Sequence, residues 1–255
     1  EINKIELPDQ EKIGALIHQD ALKSFRDGAL NPEHPTLRNT VQNPDVYFQA
    51  REACNSFYNA VPDIVEGYMN QINALIRTDY KLFNYYGSPD AQHIIIAMGS
   101  VCETAMETID YLISQGKKAG LIKVRLYRPF SAKHLLSVIP ESCKSISVLD
   151  RTKEPGAVGA PLYLDVVAAL KGSRYETIPV YTGRYGLSSK DTLPGDIAAV
   201  FENTTKQQFT LGIIDDVTNL SLDRIKLPDT TPKENISCKF WGLGADGTVG
   251  ANKNS

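Results

Sequence analysis

The stretch His93-Ile94-Ile95-Ile96-Ala97-Met98-Gly99-Ser100-Val101-Cys102-Glu103 decides the fold. Its first half is an unbroken apolar run rich in β-branched residues. Such a run suits a strand covered on both faces, as the strands of a parallel sheet are. Gly99 ends the run, and a helix is expected over 101–115. Strand, tight turn and helix in succession are the unit of an α/β layer fold. Ser100 stands where an N-cap belongs, and Glu103 where the acid of a capping box reaches back. The same turn lies where open α/β sheets place ligands, so capping and ligand binding both remain open for it.

Working outward, the alternation continues. Strands are expected at 93–98, 121–127, 145–149 and 178–182, with 81–85 and 209–213 as further candidates. Helices are expected at 101–115, 133–138, 161–171 and 194–203. Residues 79–215 are therefore expected to form an α/β domain with a mostly parallel sheet flanked by helices. The chain before it reads as a helical N-terminal extension. Pro8 opens an amphipathic helix over 8–30, with Ile13, Leu16, Ile17, Ala21, Leu22 and Phe25 on one face. Residues 31–43, rich in Pro, Asn and Arg, are expected to be irregular, and 45–58 and 62–76 to be two more helices. Beyond the sheet, 216–235 is polar and holds Pro228 and Pro232, the composition of a linker. Residues 236–241 read as the strand that opens a further domain over 236–255.

Composition narrows the function. With 42% hydrophobic and 22% charged residues and a net charge of −3, the chain has the make-up of an ordinary globular protein. No basic stretch supplies the footprint of a nucleic-acid binder. The longest apolar run, Ile94-Ile95-Ile96-Ala97-Met98, falls far short of the ~20 residues of a membrane span, and Glu1 opens no secretory pattern. A cytoplasmic protein is expected, with neither nucleic acid nor membrane as partner. Cys54, Cys102, Cys143 and Cys238 are scattered, without the spacing of a zinc or iron–sulfur site, and read as buried free thiols. His18, His34, His93 and His134 are equally dispersed. No catalytic residue and no metal ligand is nominated.

Two loops remain. Asp150-Arg151-Thr152-Lys153-Glu154-Pro155-Gly156-Ala157-Val158-Gly159 follows a strand and is too polar for a core; it reads equally as an exposed charged turn and as an anion or interdomain contact. The other is terminal. Gly242, Gly244 and Gly247 satisfy GxGxxG after the strand expected at 236–241. Loops of this kind cradle phosphate because glycine lets backbone N–H groups approach closely, and they lead into a helix. That helix is expected to lie past Ser255, as if the chain were an excised piece of a longer enzyme. Spacing alone leaves both a nucleotide site and a purely structural glycine turn.

Three strings carry a resemblance: Leu126-Tyr127-Arg128-Pro129-Phe130, Leu149-Asp150-Arg151-Thr152-Lys153-Glu154-Pro155-Gly156, and Trp241-Gly242-Leu243-Gly244-Ala245-Asp246-Gly247-Thr248-Val249-Gly250-Ala251-Asn252-Lys253. With Gln42-Asn43-Pro44-Asp45-Val46-Tyr47-Phe48-Gln49-Ala50-Arg51-Glu52 and Tyr80-Lys81-Leu82-Phe83, they make the chain similar, essentially from end to end, to pyruvate:ferredoxin (flavodoxin) oxidoreductases. The resemblance implies the end of a first, thiamine pyrophosphate-binding domain over 1–78, a domain like the C-terminal domain of transketolase over 79–215, and the start of a coenzyme A-binding domain over 236–255. It implies a parent that oxidises pyruvate with coenzyme A to acetyl-coenzyme A and carbon dioxide. The parent would use thiamine pyrophosphate, magnesium and four-iron four-sulfur clusters, form a homodimer and reduce ferredoxin or flavodoxin. It assigns Gly244, Ala245, Asp246, Gly247, Thr248, Val249 and Gly250 to the phosphate-bearing end of coenzyme A. By that reading the chain itself is a non-catalytic central scaffold that holds no cofactor of its own and joins the remaining domains of the parent. Two other classes stay in view. A nicotinamide-linked dehydrogenase would need a complete dinucleotide domain after Gly247, and a free-standing transketolase-type interaction module would dock through residues 151–154.

Overall fold

The structure is a computed structural model that describes residues 7–36, 41–231, 236 and 238–254. Numbered in chain order, the helices are α1 (Gln10–Ala15), α2 (Gln19–Asp27), α3 (Pro44–Ala53), α4 (Asn55–Ile76), α5 (Val101–Ser114), α6 (Ala132–Val138), α7 (Pro161–Leu170), α8 (Pro194–Glu202) and α9 (Thr248–Asn254). The strands are β1 (Phe83–Gly87), β2 (His93–Ala97), β3 (Ala119–Val124), β4 (Ser145–Asp150), β5 (Val180–Arg184) and β6 (Gln208–Thr210).

The six strands form one sheet in the order β1-β3-β2-β4-β5-β6. All neighbours are parallel except β1, which runs antiparallel to β3 at the edge. β2 lies between β3 and β4, with Ile95 opposite Leu121 and Ile94 opposite Ile146. Because side chains alternate along a strand, Ile94 and Ile96 enter one core with Ile122, Ile146, Leu135, Leu162 and Val166. Ile95 enters the other with Ile109, Leu121, Ile197, Val200 and Phe209. Helices α6 and α7 thus cover one face and α5 and α8 the other. All three isoleucines are 0% exposed, each burial stabilising by roughly 1.5–3 kcal/mol. The doubly covered, mostly parallel sheet expected from the Ile94-Ile95-Ile96 run is what forms.

The helical extension differs from its expectation in two places. The helix expected over 8–30 is broken in two, because His18 takes an extended backbone and its ring Nδ1 accepts from the Ala21 N–H at 3.1 Å, capping α2. The helices expected at 45–58 and 62–76 divide instead between Ala53 and Asn55, and α4 runs through Pro62. A proline inside a helix forfeits a hydrogen bond; here its ring is buried, and Val65 and Met69 further along α4 pack on the sheet's core. Near the end of α4, Asn73 accepts from Tyr80 N at 2.7 Å and donates to Tyr80 O at 2.8 Å, stapling helix to sheet. Helices α1 to α3 bury no residue. Of the segment expected to be irregular, 31–36 and 41–43 hold neither helix nor strand, and 37–40 lie outside the described residues.

The expected linker is shorter than 216–235. Leu222 N donates to Thr210 O at 3.0 Å, Ile225 N to Gly195 O at 3.1 Å, and Arg224 pairs with Asp196, so the chain stays on the domain through Ile225. Residues 232–235 lie outside the described residues. The strand expected at 236–241 does not form: Ile236 and residues 238–241 carry no regular structure, and residue 237 is outside the description. A strand persists only where neighbouring N–H and C=O groups pair with its own, and no described strand pairs with this segment.

Candidate functional site

Parallel α/β sheets gather ligands where consecutive connections depart in opposite directions. Here that point lies between β2, whose chain passes through α5 to β3 on one side, and β4 on the other. Gly99, with φ +79°, turns the chain out of β2 and into α5. The capping box expected at this turn is absent: Ser100 has helical backbone angles and its side chain makes no capping bond, so its hydroxyl has no geometry from which to reach the first turn.

Across the crevice, Asp150 ends β4 only 1% exposed. Its carboxylate accepts from Leu162 N at 3.0 Å and Tyr163 N at 3.2 Å, closing the first turn of α7 from twelve residues upstream. Burial pushes the Asp150 carboxyl above its usual range, and the two N–H groups oppose that shift. Arg151 donates from Nε to Gly186 O at 2.8 Å and from Nη2 to Ser189 Oγ at 3.2 Å. The loop expected to be either an exposed charged turn or a contact surface is therefore divided. Asp150 and Arg151 are structural partners of the domain, and residues from Lys153 to Val158 are exposed.

Met98, Gly99, Ser100, Tyr127, Asp150, Arg151 and Tyr185 line a crevice of about 280 Å³ at this point. The Tyr185 hydroxyl donates to Met98 O at 3.3 Å, and burial pushes its pKa up to about 12. Asp150 is committed to α7, and among the described residues no side chain is hydrogen-bonded to the Ser100 hydroxyl.

The structure also makes one pairing that linear spacing concealed. His93 on β2 and Ser147 on β4 meet at 2.9 Å between Nε2 and Oγ. The imidazole lies edge-on to Phe201, 5.3 Å between ring centroids, and burial pulls its pKa down. Its place at the amino end of β2, beneath α8, makes it a core contact. The alternate residues of two adjacent parallel strands were the available signal. Cys102 and Cys143 are buried and pushed up to about 11 by desolvation, so they are thiols at neutral pH. Cys54 is half-buried and Cys238 exposed, correcting the expectation that all four are buried. Among the described residues no three His, Cys, Asp or Glu side chains converge as a metal site, and no helix is long and apolar enough to cross a membrane.

The terminal loop is built around Asp246. Its carboxylate accepts from Leu243 N at 2.7 Å, from Thr248 N at 2.9 Å and from the Thr248 hydroxyl. These bonds hold its pKa down at about 2, the Thr248 hydroxyl first among them. Gly244 and Gly247 have φ of +63° and +84°. Gly242 packs so close that a Cβ on it would stand 2.6 Å from Thr248 Oγ1. The helix expected past Ser255 is already present: α9 begins at Thr248, so Thr248, Val249 and Gly250 belong to its first turn. Gly244, Ala245, Asp246 and Gly247 form the turn before it.

Fold and site define a doubly covered, mainly parallel α/β domain that carries a helical arm at one end and a glycine-rich turn at the other. The description "Pyruvate:ferredoxin oxidoreductase core domain II" matches residues 91–197, and "Pyruvate flavodoxin/ferredoxin oxidoreductase, thiamine diP-bdg" matches residues 1–70. All of the chain aligns with a pyruvate-flavodoxin oxidoreductase of Enterobacter agglomerans and with a pyruvate:ferredoxin oxidoreductase of Moorella thermoacetica, at 53% identity in both cases. The chain spans about a fifth, 22%, of the length of either relative. A 2-oxoglutarate:ferredoxin oxidoreductase from Magnetococcus marinus is similar over 52% of the chain at 19% identity, with a TM-score of 0.35. The chain belongs to the pyruvate:ferredoxin (flavodoxin) oxidoreductase family.

Proposed function

We propose that this chain is the central, non-catalytic scaffold of a thiamine- and iron–sulfur-dependent 2-oxoacid oxidoreductase. The parent activity is oxidation of pyruvate with coenzyme A to acetyl-coenzyme A and carbon dioxide, in the cytoplasm, with ferredoxin or flavodoxin as acceptor and a homodimer as the working form. The observation that carries this reading is identity across every part of the chain, with the thiamine-binding model on the arm and the domain II model on the sheet.

In this reading residues 1–78 close the thiamine-binding domain, the domain of transketolase C-terminal type runs from 79 through Ile225, the shortened remainder up to 235 connects, and 236–255 open the coenzyme A-binding domain. The exposed Phe25, Phe48 and Phe57 on the arm are faces for the rest of the parent polypeptide. Thiamine pyrophosphate, magnesium and 4Fe-4S clusters belong to those other parts. The cysteines described here lie apart from one another, and Cys102 and Cys143 are buried, protonated thiols, so they do not make one set of cluster ligands.

Coenzyme A, when bound, supplies the thiol that carries the acyl product. The residues that would hold its phosphate-bearing end are Gly244, Ala245, Asp246, Gly247, Thr248, Val249 and Gly250. The N–H groups of Gly244, Gly247, Val249 and Gly250 bond to no other described residue, whereas those of Leu243 and Thr248 are held by Asp246.

Pyruvate- and coenzyme A-dependent reduction of a viologen dye tests the reading. The complete parent polypeptide should reduce the dye and the 255-residue chain should not. Dye reduction by the chain alone, or an inert complete polypeptide, would overturn it.

A further inference from the structure

Beside the crevice, at the carboxyl ends of β5 and β6, lies a second cavity of about 320 Å³ that no step above uses. Arg184, the last residue of β5, lines it, with Lys153 from the loop after β4 and Lys190 from the loop after β5. None of the three side chains has an ion pair or hydrogen bond among the described residues, although the chain as a whole is acidic, with net charge −3. Leu187, Leu211 and Leu220 supply an apolar lining between the cations. Asp215 also borders the cavity, but its carboxylate is spent on Val217 N at 3.0 Å, Thr218 N at 3.0 Å and the Thr218 hydroxyl.

The wall is held in shape at a conformational cost. Gly186, Ser188 and Ser189 take φ of +64°, +50° and +59°. For the two serines this left-handed backbone is unfavourable and persists only where neighbours enforce it. Arg151 does so, through Gly186 O and Ser189 Oγ. A strained, clamped loop beside three cations that make no ion pair among the described residues and outnumber the one lining carboxylate, at the carboxyl edge of a parallel sheet, is the arrangement of a preformed anion site.

We propose that this cavity binds a phosphate monoester with an apolar or aromatic body, the size of a nucleoside monophosphate. Lys153, Arg184 and Lys190 less the Asp215 carboxylate leave two positive charges, which match a dianion better than a monoanion, and the leucine lining takes a ring. The site is separate from the terminal glycine loop and does not depend on its role.

The test uses the full chain and AMP, with adenosine, inorganic phosphate and octanoate as comparisons, read by amide chemical shifts. AMP should move the amides of residues 184–190 and 208–220 with a Kd below about 1 mM. Adenosine, phosphate and octanoate should each bind at least about tenfold more weakly. Lys153→Gln with Lys190→Gln, both at exposed positions, should weaken AMP by at least about tenfold without changing the far-ultraviolet circular dichroism. Added salt should weaken it as well. AMP shifts confined to 242–250, octanoate binding as tight as AMP, or unchanged AMP affinity in the double variant would each overturn the assignment.

Discussion

Arg224 grips the buried carboxylate of Asp196 in a fork, with Nε 2.8 Å from Oδ1 and Nη2 3.0 Å from Oδ2. The Asp196 side chain is 2% exposed and also accepts from Leu193 N at 2.8 Å. One carboxylate therefore closes the start of α8 and fixes the chain that leaves the sheet. Arg224→Ala would strand a buried charge. A loss of about 2–3 kcal/mol is expected, below the figure for a fully buried pair because Arg224 is half exposed. Urea unfolding measures it. A loss under about 0.5 kcal/mol would show that the segment is held without the pair.

Arg151 serves the loop after β5 in a similar way. Arg151→Ala removes its bonds to Gly186 O and Ser189 Oγ, and about 1–2 kcal/mol of stability is expected to go with them. Lys153→Ala, two residues on and exposed, should change stability by less than about 0.5 kcal/mol. Equal effects would remove Arg151 from its role as a clamp.

Asp150 gives a pH dependence of unusual sign. Its folded pKa is raised by burial from the ordinary value of 3.8, so the folded state binds the proton more tightly than the unfolded chain. Stability relative to Asp150→Asn should therefore fall as pH rises from 3.8 through the raised folded value, and level off above it. Paired urea titrations across the carboxyl range read this difference. A rise with pH would mean that the Leu162 and Tyr163 N–H groups outweigh desolvation.

The sheet was legible because burial on both faces leaves an unmistakable run in Ile94-Ile95-Ile96, whatever its neighbours are. Local pattern also placed α5, α7 and α8 to within a residue or two. It failed where distant partners decide. Nothing near Asp150 announces that its carboxylate caps a helix at Leu162, and nothing in the polar run after Asp215 announces that Arg224 returns to Asp196. Pro62 misled for a related reason, since its burial against the core lies outside any local rule. The glycine spacing of the terminal loop was visible. Asp246, which organises it, sits at an unspecified position of GxGxxG.

Acidification should undo that organisation. Asp246 is held at about 2 by Thr248 and Leu243, against an ordinary 3.8. A depressed folded pKa contributes order that is complete above 3.8 and is lost as pH falls through about 2. Amide protection at Leu243 and Thr248 should disappear over that interval, while the sheet amides of Ile95 and Ile96 report separately on global unfolding. In Asp246→Ala the two loop amides should exchange freely already at neutral pH. Persistent protection in that variant would mean that Asp246 does not hold the turn.

The three glycines of residues 244–250 should respond differently to the same substitution. Gly247 has φ +84° with open space around its Cα, so Gly247→Ala meets no neighbour and is disfavoured by backbone conformation alone. A cost of about 1 kcal/mol to the ordered turn is expected, and Gly244→Ala, at φ +63°, should behave alike. Gly250 lies inside α9, in open space and without a positive φ, so Gly250→Ala should strengthen the helix by roughly 0.5–1 kcal/mol. Carbon chemical shifts of residues 248–254 follow the helix directly. Helix loss in Gly247→Ala beside helix gain in Gly250→Ala is the expected pair of results. If both substitutions strengthened α9, the left-handed turn at Gly247 could not be what starts it.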